Sequence, residues 1–374
     1  MVDGRAVRVG LLGCGNVGGA LVELLEREGD TIAERTGVRL EVARVLVRDL
    51  AKARAAGTDL LTDDPAAVAT APDVDVVVEV MGAVEPARSL ILDALKAGKP
   101  VVTANKELIA AVGPELFEAA STAGVDLLFE AAVAGGIPLI RPLRESLAGE
   151  RLTRVMGIVN GTTNYILTAM ADEGRDYDDV LAAAQAAGYA EADPSGDVEG
   201  HDAANKLVIL ARLAFGVWLD PSDIVLSDDA GPGHGRPGIS GVTAADVAAA
   251  AAAGATIKLV AEARRGPDGR ISARVVPVAL PAETALARTA GVLNRIEVEA
   301  EPVGTVAFSG PGAGGAATSS VVLGALIAIA RGAGSTWAGL APAAAAGAAT
   351  PGGATPAAAT PAGATPGAPA VSGR

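Results

Sequence analysis

Two lysines and a run of carboxylates are the residues of this sequence best suited to chemistry. In GYAEADPSGDVEGHDAANKLVILARLAFG (188–216), five acids, Glu191, Asp193, Asp197, Glu199 and Asp202, precede Lys206, after which the chain turns apolar. Asp202 and Lys206 stand four apart on a helical stripe that continues through Ile209 and Leu213, so the pair runs toward the core. An exposed pair at this spacing contributes only a few tenths of a kcal/mol. A desolvated pair does more, because the carboxylate keeps the ammonium charged and ready to donate a proton. The flanking acids can accept hydrogen bonds from a substrate ammonium or hydroxyl, although Asp193, Asp197 and Glu199 also read as turn and cap residues around Pro194 and Gly196. An ammonium donor of this kind suits protonation of the oxygen that becomes negative when a carbonyl is reduced.

Reduction needs a hydride source, and the N-terminus offers a place for one. GCGNVG, Gly13 to Gly18, follows the β-prone run Val7, Val9, Leu11 and Leu12 and precedes the helical stripe Leu21, Leu24 and Leu25. Gly13, Gly15 and Gly18, with Asn16 and Val17 between them, fit a dinucleotide fingerprint whose backbone N–H groups approach a pyrophosphate at a helix N-terminus. A plain tight turn is the alternative. The second strand ends at Arg48, with Asp49, Lys52 and Arg54 following. Arg48 suits a 2′-phosphate, so NADP is expected with NAD as the alternative; Asp49 and Lys52 read equally as a solvated helix start.

The elements that must carry these groups are readable in outline. Strand-like runs at 40–47 and 73–82 and a strand at Val101 and Val102 alternate with helices at about 50–56, at 87–97 before Gly98, and after Asn105. This βαβ alternation implies an α/β fold with a Rossmann-type doubly wound parallel sheet over 1–130. A second, α+β domain for substrate binding and dimerisation is expected over 131–310, with strands in ISARVVPVAL and NRIEVEAEPVGTVAFSG. A last helix at 311–331 should return to the first domain. From Gly332 the Ala/Pro/Gly/Thr-rich tail, 332–374, is expected to be disordered.

Composition narrows the classes. A net charge of -14 without a basic run argues against nucleic-acid or anionic-membrane partners. Aromatics at 2% remove stacking platforms for single strands. One cysteine, Cys14, and two histidines, His201 and His234, leave no cysteine- or histidine-based transition-metal site. With no signal-peptide pattern, and with the apolar run at 321–330 too short to span a bilayer, a soluble cytoplasmic protein is expected.

Taken in order, GCGNVG, TANKELI, FEAAVAGGIPLI, GIVNGTTNYIL, GYAEADPSGDVEGHDAANKL and a late GPGAGG resemble homoserine dehydrogenase over roughly 7–331. The resemblance implies NAD(P)-dependent interconversion of L-aspartate 4-semialdehyde and L-homoserine in threonine and methionine biosynthesis, by a homodimer. It implies that Lys206 protonates the aldehyde oxygen and that Asp202 orients substrate. Lys106 in TANK would stand between nicotinamide and substrate, with Thr103, Ala104 and Asn105 adjoining. It implies substrate contacts from Asn160, Thr162, Gly188, Glu191 and Asp197, and places Gly312 with the cofactor residues. It also implies a monovalent cation, Na+ or K+, held by Glu130 and by the backbone carbonyls of Val133, Gly135 and Ile137. Read from sequence alone, Val133 and Ile137 are core residues, and Asn160-Gly161 is a tight turn.

The chain departs from the resemblance after Arg331, where no β-α-β-β-α-β pattern remains for the ACT domain that many bacterial members carry, and in the Gly/Pro-rich segment 228–240. Three competing readings are another amino-acid or semialdehyde dehydrogenase of the same fold, a non-catalytic NADP sensor, and an interaction module. The joint presence of Lys106, Glu191, Asp202 and Lys206 speaks against the sensor, and the third rests on the tail alone.

Overall fold

A computed structural model of the chain describes residues 6–52 and 55–340. Its first half alternates β1 (Val7–Leu12), α1 (Asn16–Thr36), β2 (Leu40–Leu46), β3 (Leu61–Thr62), α2 (Ala66–Ala69), β4 (Val76–Glu79), α3 (Ala87–Lys96), β5 (Val101–Thr103), α4 (Lys106–Ala123) and β6 (Leu127–Leu128). The six strands form one parallel sheet in the order 3-2-1-4-5-6. Because β1 pairs with β2 on one side and β4 on the other, the strand order reverses beyond their C-terminal ends. That crevice is where doubly wound sheets bind ligands. Every residue of β4 is buried, as expected of a strand covered on both faces. Val76 and Val78 pack in the core with Leu21, Val22 and Leu25 of α1, whereas Val77 faces the core of Leu90 and Ile91 of α3 and Leu108 and Ile109 of α4.

The helix expected at 50–56 does not form: the described residues there make turns and bends, and 53 and 54 lie outside the described residues. Asp49 Oδ1 accepts from the Ala51 N–H at 2.9 Å, an Asx turn that competes with helix initiation in a segment too short to nucleate readily.

The second half runs β7 (Arg151–Ile158), α5 (Gly161–Glu173), α6 (Tyr177–Ala186), α7 (Ser195–Val198), α8 (His201–Phe215), α9 (Ala244–Ala252), β8 (Ala255–Arg265), β9 (Ile271–Pro281), β10 (Leu293–Glu301), β11 (Gly304–Pro311) and α10 (Gly315–Ala330). Its five strands make an antiparallel sheet in the order 11-10-7-8-9, against which α5 and α8 pack. The last helix crosses back to the first sheet: Val322, Ala325 and Leu326 of α10 join the core of Val9, Leu11 and α1. Helices α4 and α8 pack together across the two halves.

Residues 332–340 correct the expectation that the tail begins at 332. Ser335 Oγ accepts from the Leu127 N–H and donates to Asp126, each at 3.0 Å. Trp337 Nε1 donates to the Leu127 carbonyl at 2.8 Å, and its ring stacks on Phe117 with centroids 4.6 Å apart. The segment thus satisfies the otherwise open edge of β6. One Trp and one Ser in a small-residue run supply the docking groups. Residues 341–374 lie outside the described residues. Trp337→Ala is expected to lower the unfolding free energy by about 2 kcal/mol in urea titration, since Trp337 is half-buried. An unchanged midpoint would show that the segment adds nothing to the fold.

Candidate active site

The glycine loop turns sharply at the end of β1. Gly13 sits at φ +104°, a conformation that L side chains rarely adopt. A Cβ on Gly18 would overlap the Gly13 carbonyl oxygen, so that glycine allows α1 to pack against the loop. Gly15 is exposed, and a Cβ there would meet no protein atom within 4 Å. The space beside it is open. The first turn of α1 has no side-chain cap and no acid, which leaves its N–H groups for an anion. Asn16 and Val17 line a cleft of about 730 Å³ that opens between the two halves of the chain.

A residue not singled out from the sequence organises the next wall. Glu79, the last residue of β4, is fully buried. Its Oε1 accepts from the N–H groups of Met81 (2.7 Å) and Gly82 (3.3 Å), and its Oε2 accepts from Thr103 Oγ1 at 2.6 Å. Thr103 Oγ1 in turn accepts from the Asn105 N–H at 3.0 Å. Asn105 caps α4 through Leu108 N–H and donates its Nδ2 to the Ala83 carbonyl at 2.6 Å. Burial pushes the Glu79 carboxyl up, while these donors pull the other way. The network fixes the TANK loop, and with it Ala104 and Lys106 in the cleft wall. The signal in the sequence was one acid ending an otherwise continuous valine strand, DVDVVVEV.

Lys106 is the first residue of α4 and Asp202 lies in the first turn of α8, so the packing of these helices brings them together. Asp202 accepts from Lys106 Nζ on Oδ1 at 3.1 Å and from Lys206 Nζ on Oδ2 at 2.6 Å. Lys206, buried as its stripe implied, also donates to the Val159 carbonyl at 2.8 Å. Asn160 caps α5 with its Oδ1 and spends its two Nδ2 hydrogens on Asp202 Oδ2 (2.8 Å) and Asp197 Oδ1 (2.7 Å). Burial alone would raise the Asp202 carboxyl, but Lys206 and Lys106 hold it at about 2. Burial opposes the charge on Lys106 too, yet Asp202 raises its pKa.

The remaining expected residues divide. Thr162, Gly188, Glu191, Asp197, Ala104, Gly135 and Gly312 line the same cleft as the lysines, with the Thr162 hydroxyl donating to the Tyr189 carbonyl at 3.0 Å. A Cβ on Gly135 would overlap the Gly312 carbonyl, which fixes the close stacking of 135 on 312. Thr103 is buried behind the wall, and Arg48 stands exposed beyond β2, outside the cleft lining. Glu130, Val133 and Ile137 are buried outside that lining. Val292 and Thr318, not anticipated from the sequence, also line the cleft.

Against known proteins, residues 13–130 match the family model for the homoserine dehydrogenase NAD-binding domain, and residues 138–327 match the one for homoserine dehydrogenase. The chain belongs to the homoserine dehydrogenase family. It is 51% identical to homoserine dehydrogenase of Mycobacterium leprae over 333 residues, covering 88% of this chain and 73% of that one. With homoserine dehydrogenase of Corynebacterium glutamicum the identity is 50% over the same shares. A crystal structure of the Thiobacillus denitrificans homoserine dehydrogenase superposes with a TM-score of 0.82 at 44% identity, covering 87% of this chain and 74% of that one. A hyperthermophilic archaeal homoserine dehydrogenase in complex with NADPH superposes with a TM-score of 0.71 at 28% identity, over 88% and 98% of the two chains. The protein is therefore an oxidoreductase of the homoserine dehydrogenase type with a nicotinamide cofactor domain.

Two outcomes follow from this geometry. Glu79→Gln leaves a donor facing donors in a sealed network and is expected to cost about 1–3 kcal/mol of stability and to raise the KM for the nicotinamide cofactor; unaltered urea midpoint and kinetics would contradict the role. Since the Asp202 pKa is lowered on folding, its stabilisation is complete above the ordinary value near 3.8 and is lost as pH falls toward about 2. Acid unfolding of Asp202→Asn should accordingly be less steep over that window than acid unfolding of the parent.

Proposed function

We propose that the cleft interconverts L-aspartate 4-semialdehyde and L-homoserine, as a step of threonine and methionine biosynthesis, with Lys206 as proton donor. The observation that carries this reading is the Asp202 carboxylate shared by two ammonium groups, one from each half of the chain. Two of the three Lys206 N–H groups are engaged by Asp202 and the Val159 carbonyl, which leaves one for a substrate oxygen in the cleft that Lys206 lines. As the aldehyde carbon gains hydride, its oxygen takes that proton and becomes the hydroxyl; in the reverse direction Lys206 receives it. Lys106 adds a second positive charge where the alkoxide develops. Asp197 and Glu191 offer carboxylate acceptors to the substrate ammonium beside Gly188, while Asn160 and Thr162 hold the α5 end of the wall.

The bound nicotinamide supplies the hydride. Gly13, Gly15, Asn16, Val17 and Gly18 would hold its pyrophosphate, with Ala104, Lys106 and Gly312 around the rest and Thr103 holding their loop from behind the wall. NADP is the preferred form in this reading, on the strength of Arg48 at the end of the second strand, with NAD as the alternative. The homodimer and the cytoplasmic location implied by the resemblance belong to the same proposal; among the described residues no helix is long and apolar enough to cross a membrane.

The monovalent cation of the resemblance fits the residues present. Both carboxylate oxygens of Glu130 are buried without a hydrogen-bond partner, and burial pushes its carboxyl up. Such an orphaned acid calls for a hard cation, with the backbone carbonyls of Val133, Gly135 and Ile137 as the other oxygens. Among the described residues no three His, Cys, Asp or Glu side chains gather as metal ligands, so one carboxylate and backbone would do the work.

The direct test follows NADPH and NADH oxidation by the purified protein with aspartate 4-semialdehyde, and the reverse reaction with homoserine. Lys206→Ala is expected to lower kcat by roughly 10²–10⁴-fold while NADPH binding, read by nicotinamide fluorescence, is retained. Loss of both together would remove Lys206 from the donor role. Exchanging Na+ or K+ for a bulky organic cation should lower the thermal midpoint of the parent and leave Glu130→Gln unmoved; equal behaviour of the two would exclude the cation site.

A further inference from the structure

Lys258, in the middle of β8, is 2% exposed and enters none of the chemistry above. Its ammonium meets neutral oxygens only: Asn164 Oδ1 at 2.9 Å, the Thr289 carbonyl at 2.8 Å and Thr168 Oγ1 at 3.2 Å. Three donors thus meet three acceptors, the one arrangement that makes a buried ammonium tolerable without a carboxylate. Asn164 and Thr168 lie on α5, whereas Thr289 belongs to the segment that leads into β10. Three further hydrogen bonds tie the same segment to α5. Asn164 Nδ2 donates to the carbonyls of Thr289 and Leu293 at 3.1 Å each, and the Gly291 N–H donates to Thr168 Oγ1 at 3.3 Å.

Between these fastened residues stands Val292, which lines the cleft. Its carbonyl would lie 2.9 Å from a Cβ on Gly161, the first residue of α5, so the segment rests directly on the helix end that carries Asn160 and Thr162. We propose that Lys258 is a positioning residue for the reaction, holding the 289–293 segment against the N-terminus of α5 and so setting the substrate-side wall formed by Val292, Asn160 and Thr162. The inference rests on the reading of that wall as the substrate side. The glycine loop and the TANK loop belong to the other half of the chain and are outside its reach.

Lys258→Met keeps the length of the stem and removes all three donors. It is expected to raise the KM for aspartate 4-semialdehyde by about 10-fold or more, with NADPH affinity essentially unchanged, because small displacements of a positioned wall weigh heavily on the bound geometry. Lys258→Arg, which retains a charged donor, should recover part of that loss. Thr168→Val, which with little change of volume removes the hydroxyl that accepts from both Lys258 and Gly291, tests the fastening of the segment even if Lys258→Met fails to fold and should raise the same KM by roughly 3-fold. Folded variants with an unchanged KM, or variants in which substrate KM and NADPH affinity worsen in step with lost stability, would overturn the proposal. If the parent protein itself shows no turnover, the functional reading has failed rather than this one, and the calorimetric Kd for homoserine then takes the place of KM in the same comparison.

Discussion

A buried carboxylate between two ammonium groups is the constraint on which the rest of the structure turns. Asp202 has lost most of its water, and what keeps it charged is Lys106 from the first half of the chain and Lys206 one turn further along its own helix, α8. Removing one partner of such a group leaves an uncompensated buried charge, which costs far more than an exposed ion pair ever contributes. The helices that present the three residues must therefore meet in one register. The α4 surface makes room for that meeting: Gly113 leaves space where the Trp218 ring inserts, and the ring stands edge-on to Phe117 of the same helix.

Around this centre, buried polar groups work as scaffolding rather than as reactants. Glu79 gathers a strand end, a loop and a helix cap; Asn160 divides its amide between two acids; Lys258 joins α5 to Thr289, which lies 125 positions beyond Asn164 in the sequence. Each network is closed, with donors matched to acceptors, which is the condition under which a low-dielectric interior makes such bonds strong and not costly. Glu130 differs, with both carboxylate oxygens buried and unpaired; among the described residues the Asn294 amide and the Thr336 hydroxyl are also without a hydrogen-bond partner.

The first domain could be read closely from the chain because its signals are local. The glycine loop, the valine strands and the asparagine before α4 each announce themselves within a few residues. The antiparallel sheet was less transparent. β8 follows a run of alanines and is buried through most of its length, so it lacks the polar-apolar alternation of a half-exposed strand, and its buried Lys258 reads as a surface residue. The pairing of Asp202 with Lys206 followed from helical spacing, but its second bond to Lys106 joins residues 96 positions apart and depends on how α4 meets α8, which no periodicity encodes. Glu79 and the docking of Ser335 and Trp337 escaped for a related reason: in each case the partner lies on a distant element, and composition speaks only of the near neighbourhood.

Whether Asp202 acts with the lysines as one unit is read directly by a double-mutant cycle. The turnover of Lys106→Met, Asp202→Asn and the double variant should be compared with the parent under identical conditions. If the unit is real, the double variant loses about as much as the worse single one, with a coupling of roughly 1–3 kcal/mol. Losses that simply multiply would show that Lys106 and Asp202 contribute independently, and would contradict the shared carboxylate as the organising feature of the site.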